Sequence, residues 1–165
     1  MFKLKGKHNL DKIEKALIRG LERADNATAK AIAKRAKENA PVDTTALRES
    51  IHTVTDEGSG YEEAIARVKA ANPKLRQADK LTEQNNILPE RPLIGNEPDQ
   101  GVHVAEVDVP LNYAPIVHDG HVAVFSGEGP SRFVGARPFL ADAVREEESG
   151  HEKRLRKVIT DLEKI

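Results

Sequence analysis

Asn39-Ala40-Pro41-Val42-Asp43-Thr44-Thr45-Ala46-Leu47-Arg48-Glu49-Ser50-Ile51 is the stretch on which the rest of the chain turns. A long Ala- and Lys-rich helical pattern runs into it. Pro41 stops that pattern, because its ring disfavours the helical conformation at Ala40. Asp43 and Thr44 then offer side-chain acceptors to free backbone N–H groups, which starts a second, short helix through Ala46, Leu47 and Arg48. From Ser50 to Thr55 the pattern changes to a β-branched alternation, the mark of a strand. Helix, turn, helix and strand follow one another closely, so this junction sets how the long helix packs on a sheet.

Upstream, residues 9 to 40 read as one helix, softly interrupted by Gly20. At the helical repeat, Leu10, Ile13, Leu17, Leu21, Ala24, Thr28, Ala31 and Ile32 share one stripe. Lys12, Lys15, Arg19, Arg23, Lys30, Lys34 and Lys37 share another, roughly opposite, with Asp11, Glu14, Glu22 and Asp25 on the flank between. Arg35 departs from this sorting and lands on the apolar side. A helix of this length is a rod on the order of 45 Å, longer than a domain of this size needs to cover its own core. The basic stripe reads either as a solvated face or as an electrostatic surface for DNA or an acidic partner. It carries no aromatic stacking residues and no recognisable nucleic-acid fold, so sequence-specific DNA recognition is not expected.

Downstream, Asp56-Glu57-Gly58-Ser59-Gly60 is turn chemistry, and the loose alternation of Glu63 to Val68 predicts the return strand of a hairpin. Residues 72 to 101 are irregular, with Pro73, Pro89, Pro92 and Pro98, and are expected to hold a helical piece near Leu75–Gln84 and an exposed arm. Val102 to Val109 is the strongest strand pattern. Its phase slips at Ala105, and Pro110 ends it. Tyr113 to Val117 predicts a short turn or helix with Gly120 as a break, and Val122 to Phe125 another short strand. Pro138 suits the first position of a C-terminal helix, where its missing N–H costs nothing. Phe139, Leu140, Ala143 and Val144 give that helix an apolar face, Gly150 is a candidate kink, and Leu155, Val158, Ile159, Leu162 and Ile165 continue it. Strands do not alternate regularly with helices. The fold class is therefore α+β: a small, mostly antiparallel sheet packed against a long N-terminal helix and a C-terminal helix.

The 165 residues fit one domain, 1–165. With 38% apolar residues, 32% charged, and only 4 Phe and 2 Tyr, its core is lean. Such a chain can finish its burial against neighbouring subunits. Cysteine is absent, which excludes disulfides and thiolate metal sites. No signal peptide or membrane span is expected, and synthesis in the cytoplasm follows. The net charge of −1 hides an asymmetry. Residues 1–40 carry 11 Lys and Arg against 5 Asp and Glu, whereas residues 41–165 carry 15 against 22. A basic arm on an acidic body points to a polyanion or to contact between copies.

The best catalytic-looking cluster is His118-Asp119-Gly120-His121 with Asp108 upstream, legitimate zinc or iron ligands by type. Gly120 breaks the helix that would bring the two histidines onto one face, so they read as a loop pair. Glu148 and His151 have a Glu-x-x-His spacing, but Glu146-Glu147-Glu148 reads more simply as a charged helix face. No phosphate loop or nucleophile elbow is present. No catalytic residue, metal or cofactor is expected, and the alternative functions that stay open are a non-specific DNA-binding protein and a metal-dependent enzyme.

Three stretches carry a resemblance. Ala-Pro-Val-Asp-Thr-x-Ala-Leu-Arg-x-Ser-Ile at 40–51 resembles the signature of a family of neck and tail-completion proteins of long-tailed bacteriophages, the minor-tail-protein-Z-like group. Tyr113-Ala114-Pro115-Ile116-Val117-His118-Asp119-Gly120 is similar to that family's Tyr-Ala-Pro-x-Val-Glu-aromatic-Gly element, with His118 and Asp119 departing from it. Ala136-Arg137-Pro138-Phe139-Leu140 is similar to its Ala-Arg-Pro-Phe-Leu element, which opens a C-terminal helix. The resemblance implies that Pro41, Asp43 and Leu47 set the junction, that Tyr113, Pro115 and Gly120 shape a central turn, and that Arg137, Pro138 and Phe139 anchor the last helix. It implies that residues 57–101 are an inserted arm. It also implies a virion structural protein of a siphovirus-like head–tail junction, a closed ring of roughly six or twelve copies. That ring would sit between head-completion or adaptor proteins and the tail-terminator, with contact to DNA in the channel open and no membrane partner.

Overall fold

The computed structural model describes residues 8–41, 45–71, 87–90, 105–123 and 132–164. Helix α1 (His8–Asn39) opens the fold, followed by α2 (Thr45–Ser50), β1 (His52–Thr55), β2 (Gly58–Ser59) and α3 (Tyr61–Ala71). Strand β3 (Glu106–Asp108), helix α4 (Ala114–Asp119), β4 (His121–Ala123), β5 (Arg132–Val134) and helix α5 (Phe139–Leu162) complete it. The α+β expectation holds: an antiparallel sheet in the order β2-β1-β3 and a two-stranded β4–β5 ribbon accompany two long helices.

The junction organises the core. Ala40 still donates its N–H to Ala36 at 2.8 Å, and the chain leaves the helix at Pro41. Leu47 and Ile51, which follow shortly after the helix end, are fully buried. The core they join is small and rich in alanine: Ala33, Ala36, Ala40 and Ala46 from the first two helices meet Val68, Leu111 and Phe139. Alanines along α1 let sheet and helices approach closely, so a few large side chains fill the space between them. The proposed cap residues Asp43 and Thr44 lie outside the described residues, as do Leu75–Gln84 and Val102–Val104.

Helix α5 runs antiparallel along α1. Phe139 and Ala143, at the start of α5, sit in the core near the C-terminal end of α1, Glu147 bonds Arg35, His151 meets Thr28, and Val158 lies against Gly20. Gly20 does not interrupt α1. A Cβ there would stand 2.6 Å from Val158 Cγ1, so glycine is what lets the two helices close. Helix α5 likewise runs on through Gly150, where a side chain would run into the Glu147 carboxylate.

Three local expectations need correction. The return strand at Glu63–Val68 is the helix α3. Ala64, Ile65 and Val68 are its buried line, and Glu62, Glu63 and Lys69 sit at the ends that suit the helix dipole. Pro138 precedes the first helical residue of α5 rather than occupying it. Its ψ of 56° is not helical, and its carbonyl accepts from the Asp142 N–H at 2.9 Å. The apolar stripe of α1 is largely uncovered in its N-terminal half, and the buried line is instead Ala29, Ala33, Ala36 and Ala40. The stripe was legible as a pattern, but the sheet reaches only the C-terminal half of the rod.

Candidate assembly surfaces

Of the motif residues, Leu47, Tyr113 and Phe139 lie in or against the core. Leu47 and Phe139 are buried, and the Phe139 ring takes the His118 ring edge-on at 5.6 Å between centroids. Tyr113 packs against the core just before α4, Pro115 lies exposed in its first turn, and Gly120 ends it at φ 80°. A Cβ on Gly120 would stand 2.7 Å from the Ala136 nitrogen and 2.9 Å from the Val134 carbonyl oxygen. This glycine therefore both turns the chain and admits the segment leading to α5. The Arg137 N–H donates to the Val117 carbonyl at 3.1 Å, which ties the central turn to that segment. The second and third motifs are thus one packed unit. Asp43 lies outside the described residues.

The basic stripe divides into parts with different surroundings. Lys12, Lys15, Arg19, Arg23 and Lys34 are exposed, and Lys30 is ion-paired to Glu57 at 3.1 Å. Lys37 is half-buried, and burial together with the Arg67 guanidinium lowers its ammonium below the usual value. Arg19 and Arg23 line a groove between α1 and α5, floored by Ala16, Gly20 and Ala27 and completed by Arg154 and Lys157.

Sequence reasoning missed the interhelical clamp. Glu147, on what reads as a charged helix face, is 5% exposed. It accepts from Arg35 Nε at 2.7 Å and lies 2.7 Å from Arg154 Nη1. Hydrogen bonds from Arg35 and then Arg154 outweigh burial and hold its carboxyl below the ordinary value of 4.5. Arg154 also donates to the Thr28 hydroxyl at 3.3 Å, and His151 Nδ1 stands 3.0 Å from that same oxygen. The signal was Arg35, the one cation of α1 on the apolar side.

Beyond the clamp, α1 and α5 form a bare two-helix hairpin. Leu10, Ile13, Leu17, Ile18 and Leu21 are 36% to 63% exposed, and Ile159 on α5 is 58% exposed. Two helices without a third layer cannot bury both their apolar stripes. At the other end of the molecule Phe133 and Ile116 are also exposed. Among the described residues no group of His, Asp or Glu is placed to hold a metal ion, and no helix is long and apolar enough to cross a membrane.

Helices clamped into a hairpin over a lean core, with the larger aliphatic side chains of α1 on the outside, define a class: an α+β protein that leaves much of its longest helix uncovered. Residues 6–120 match the family described as "Bacteriophage HK97-gp10, putative tail-component". The chain belongs to this HK97-gp10-like family of phage tail components, and is accordingly a structural protein of the virion. The match contains the first two motif stretches and stops before Ala136–Leu140. Neither the comparison with curated proteins nor that with solved structures yields a match.

Proposed function

We propose that this chain is a neck or tail-completion component that closes into a ring of its own copies at the head–tail junction. There it docks between the head-completion or adaptor proteins and the tail-terminator. The observation that carries this reading is the bare hairpin. A family member whose longest helix leaves a row of leucines and isoleucines uncovered as a monomer has a surface that assembly would bury. The fold motifs Pro41, Leu47, Tyr113, Gly120 and Phe139 then act by holding the hairpin on its sheet. The test is to delete the reading frame from its phage or prophage and view the induced lysate by electron microscopy. Filled heads beside separate finished tails are expected. Intact, infectious virions would overturn the reading.

The groove lined by Arg19, Arg23, Arg154 and Lys157 favours a second reading, non-specific contact with DNA in the channel. It requires retention of double-stranded DNA that weakens steeply as salt rises, since phosphate contacts release counterions. A gel shift titrated with salt decides it.

A further inference from the structure

The bare hairpin has two unlike faces. On one, Arg19, Arg23, Arg154 and Lys157 surround a floor of Ala16, Gly20 and Ala27. Among the described residues Arg19 and Arg23 have no ion pair. Asp161, the acid on this side, is bonded to Lys164 at 2.9 Å. The other face continues the groove that the sheet caps near Asp25, Thr28 and Ile32 of α1 and Val144 and His151 of α5. One turn further along the same line of α1 come Leu21 and Ile18, rimmed by Glu14 and Glu22. The matching line of α5 continues through Leu155 and Ile159, beside the exposed Glu148 and Glu152, the latter ion-paired to Arg156 at 2.6 Å. Strand β3 reaches this groove through Val107 and Ala105, whereas Ile18, Leu21 and Ile159 beyond it are exposed.

We propose that the acid-rimmed apolar face of one copy seats on the basic, small-residue face of the next, so that hairpins stack head to tail. Sign and shape both match. Ile18, Leu21 and Ile159 project where Ala16 and Ala27 leave space beside Val158 and Leu162, while Glu14 and Glu22 meet Arg19, Arg23 and Lys157. The size is sufficient. The bare part of the rod is about 30 Å long and the helix pair about 20 Å across, a projected area of about 600 Å², close to the roughly 800 Å² per partner of a standard interface. A contact between two different faces of the same chain is heterologous, and repetition of a heterologous contact closes into a ring when the rotation allows. This assignment rests on the ring reading above and names the surfaces that make it.

The experiment is sedimentation velocity on the full chain and two double variants, each checked for helicity by circular dichroism. R19E/R23E reverses the basic face, and E14K/E22K the acidic one. The unaltered chain is expected to associate beyond a dimer, and each variant alone to be monomeric. A mixture of the two is expected to recover association beyond a dimer, because one contact pairs the intact acidic face with the intact basic face and the next pairs two reversed faces that are again of opposite sign. Oligomers that survive in both variants would overturn these surfaces and leave the ring reading standing. An unaltered chain that stays monomeric at every concentration would overturn the ring reading as well. Loss of DNA retention in R19E/R23E with its oligomer unchanged would make the basic face a nucleic-acid surface and reject the stacking.

Discussion

Two glycines separate backbone strain from crowding at the scale of the residue. Gly58 and Gly120 both have φ in the region that side chains avoid, at 144° and 80°. A Cβ on Gly58 meets nothing within 4 Å, whereas on Gly120 it would press into the Ala136 and Val134 backbone. Gly58→Ala is therefore expected to cost about 1 kcal/mol from conformation alone. Gly120→Ala adds a backbone displacement and is expected to cost about 3 kcal/mol. Equal melting-temperature losses in the two variants would show that the approach of Ala136 to Gly120 is not tight. Glu147 makes a different kind of test. Removing one partner of a buried ionic cluster costs up to roughly 5 kcal/mol when the remaining charges are trapped. Here the side chains of Arg35 and Arg154 keep 41% and 30% of their exposure and can be hydrated instead. Glu147→Gln is accordingly expected to cost about 2 kcal/mol near neutral pH. Because the folded carboxyl titrates below its unfolded value of 4.5, the stabilisation is complete above that value and is lost as pH falls through the folded one. The gap between wild type and Glu147→Gln in thermal melts should close on acidification below pH 4.5. A gap independent of pH would mean that Glu147 acts by shape alone.

Between elements, the decisive contact is α1 against α5, and the sequence revealed its members without their pairing. The boundaries of α1 fall within a residue of the periodicity reading, since Pro41 and the stripe are local signals. Helix α3 was read as a strand because Ala and Glu at loose alternation suit both states, and packing against α2 decides for helix. The clamp joins Arg35 to Glu147 across 112 positions, a relation that no window of sequence contains. Gly20 reads as a break for the same reason: it is small to admit Val158 of the other long helix, whereas Gly150 admits the Glu147 carboxylate of its own helix. The proposed closeness at Gly20 gives a clean test. Gly20→Ala should gain about 1 kcal/mol of helix propensity and lose more than that against Val158. Val158→Ala in the same chain should recover the gain, so the double variant is expected to melt above Gly20→Ala alone. Additive losses would mean that the two helices do not meet there.

Across the whole molecule, the same long helix does two jobs along its length. Its C-terminal half spends alanines on the core, and its N-terminal half holds leucines and isoleucines away from it. Substitutions in the two halves should therefore fail in different ways. Leu47→Ala, beside the buried half, opens a cavity at a fully buried site and is expected to cost about 3 kcal/mol, enough to lower the melting temperature of the isolated chain markedly. Leu10→Gln with Leu17→Gln removes side chains already 63% and 37% exposed. Full burial of a leucine is worth roughly 2 kcal/mol, and these two realise only part of it in the monomer. The monomer should then melt within a few degrees of wild type. In a phage lacking the chromosomal copy, however, the doubly substituted chain should fail to restore infectious particles, because the surface it loses is the one that the proposed assembly would cover. The comparison is complementation titre against melting temperature in the same two variants. Full complementation by the Leu10→Gln, Leu17→Gln chain would mean that the exposed stripe is tolerated rather than used, and that the overlong helix has another reason for its length.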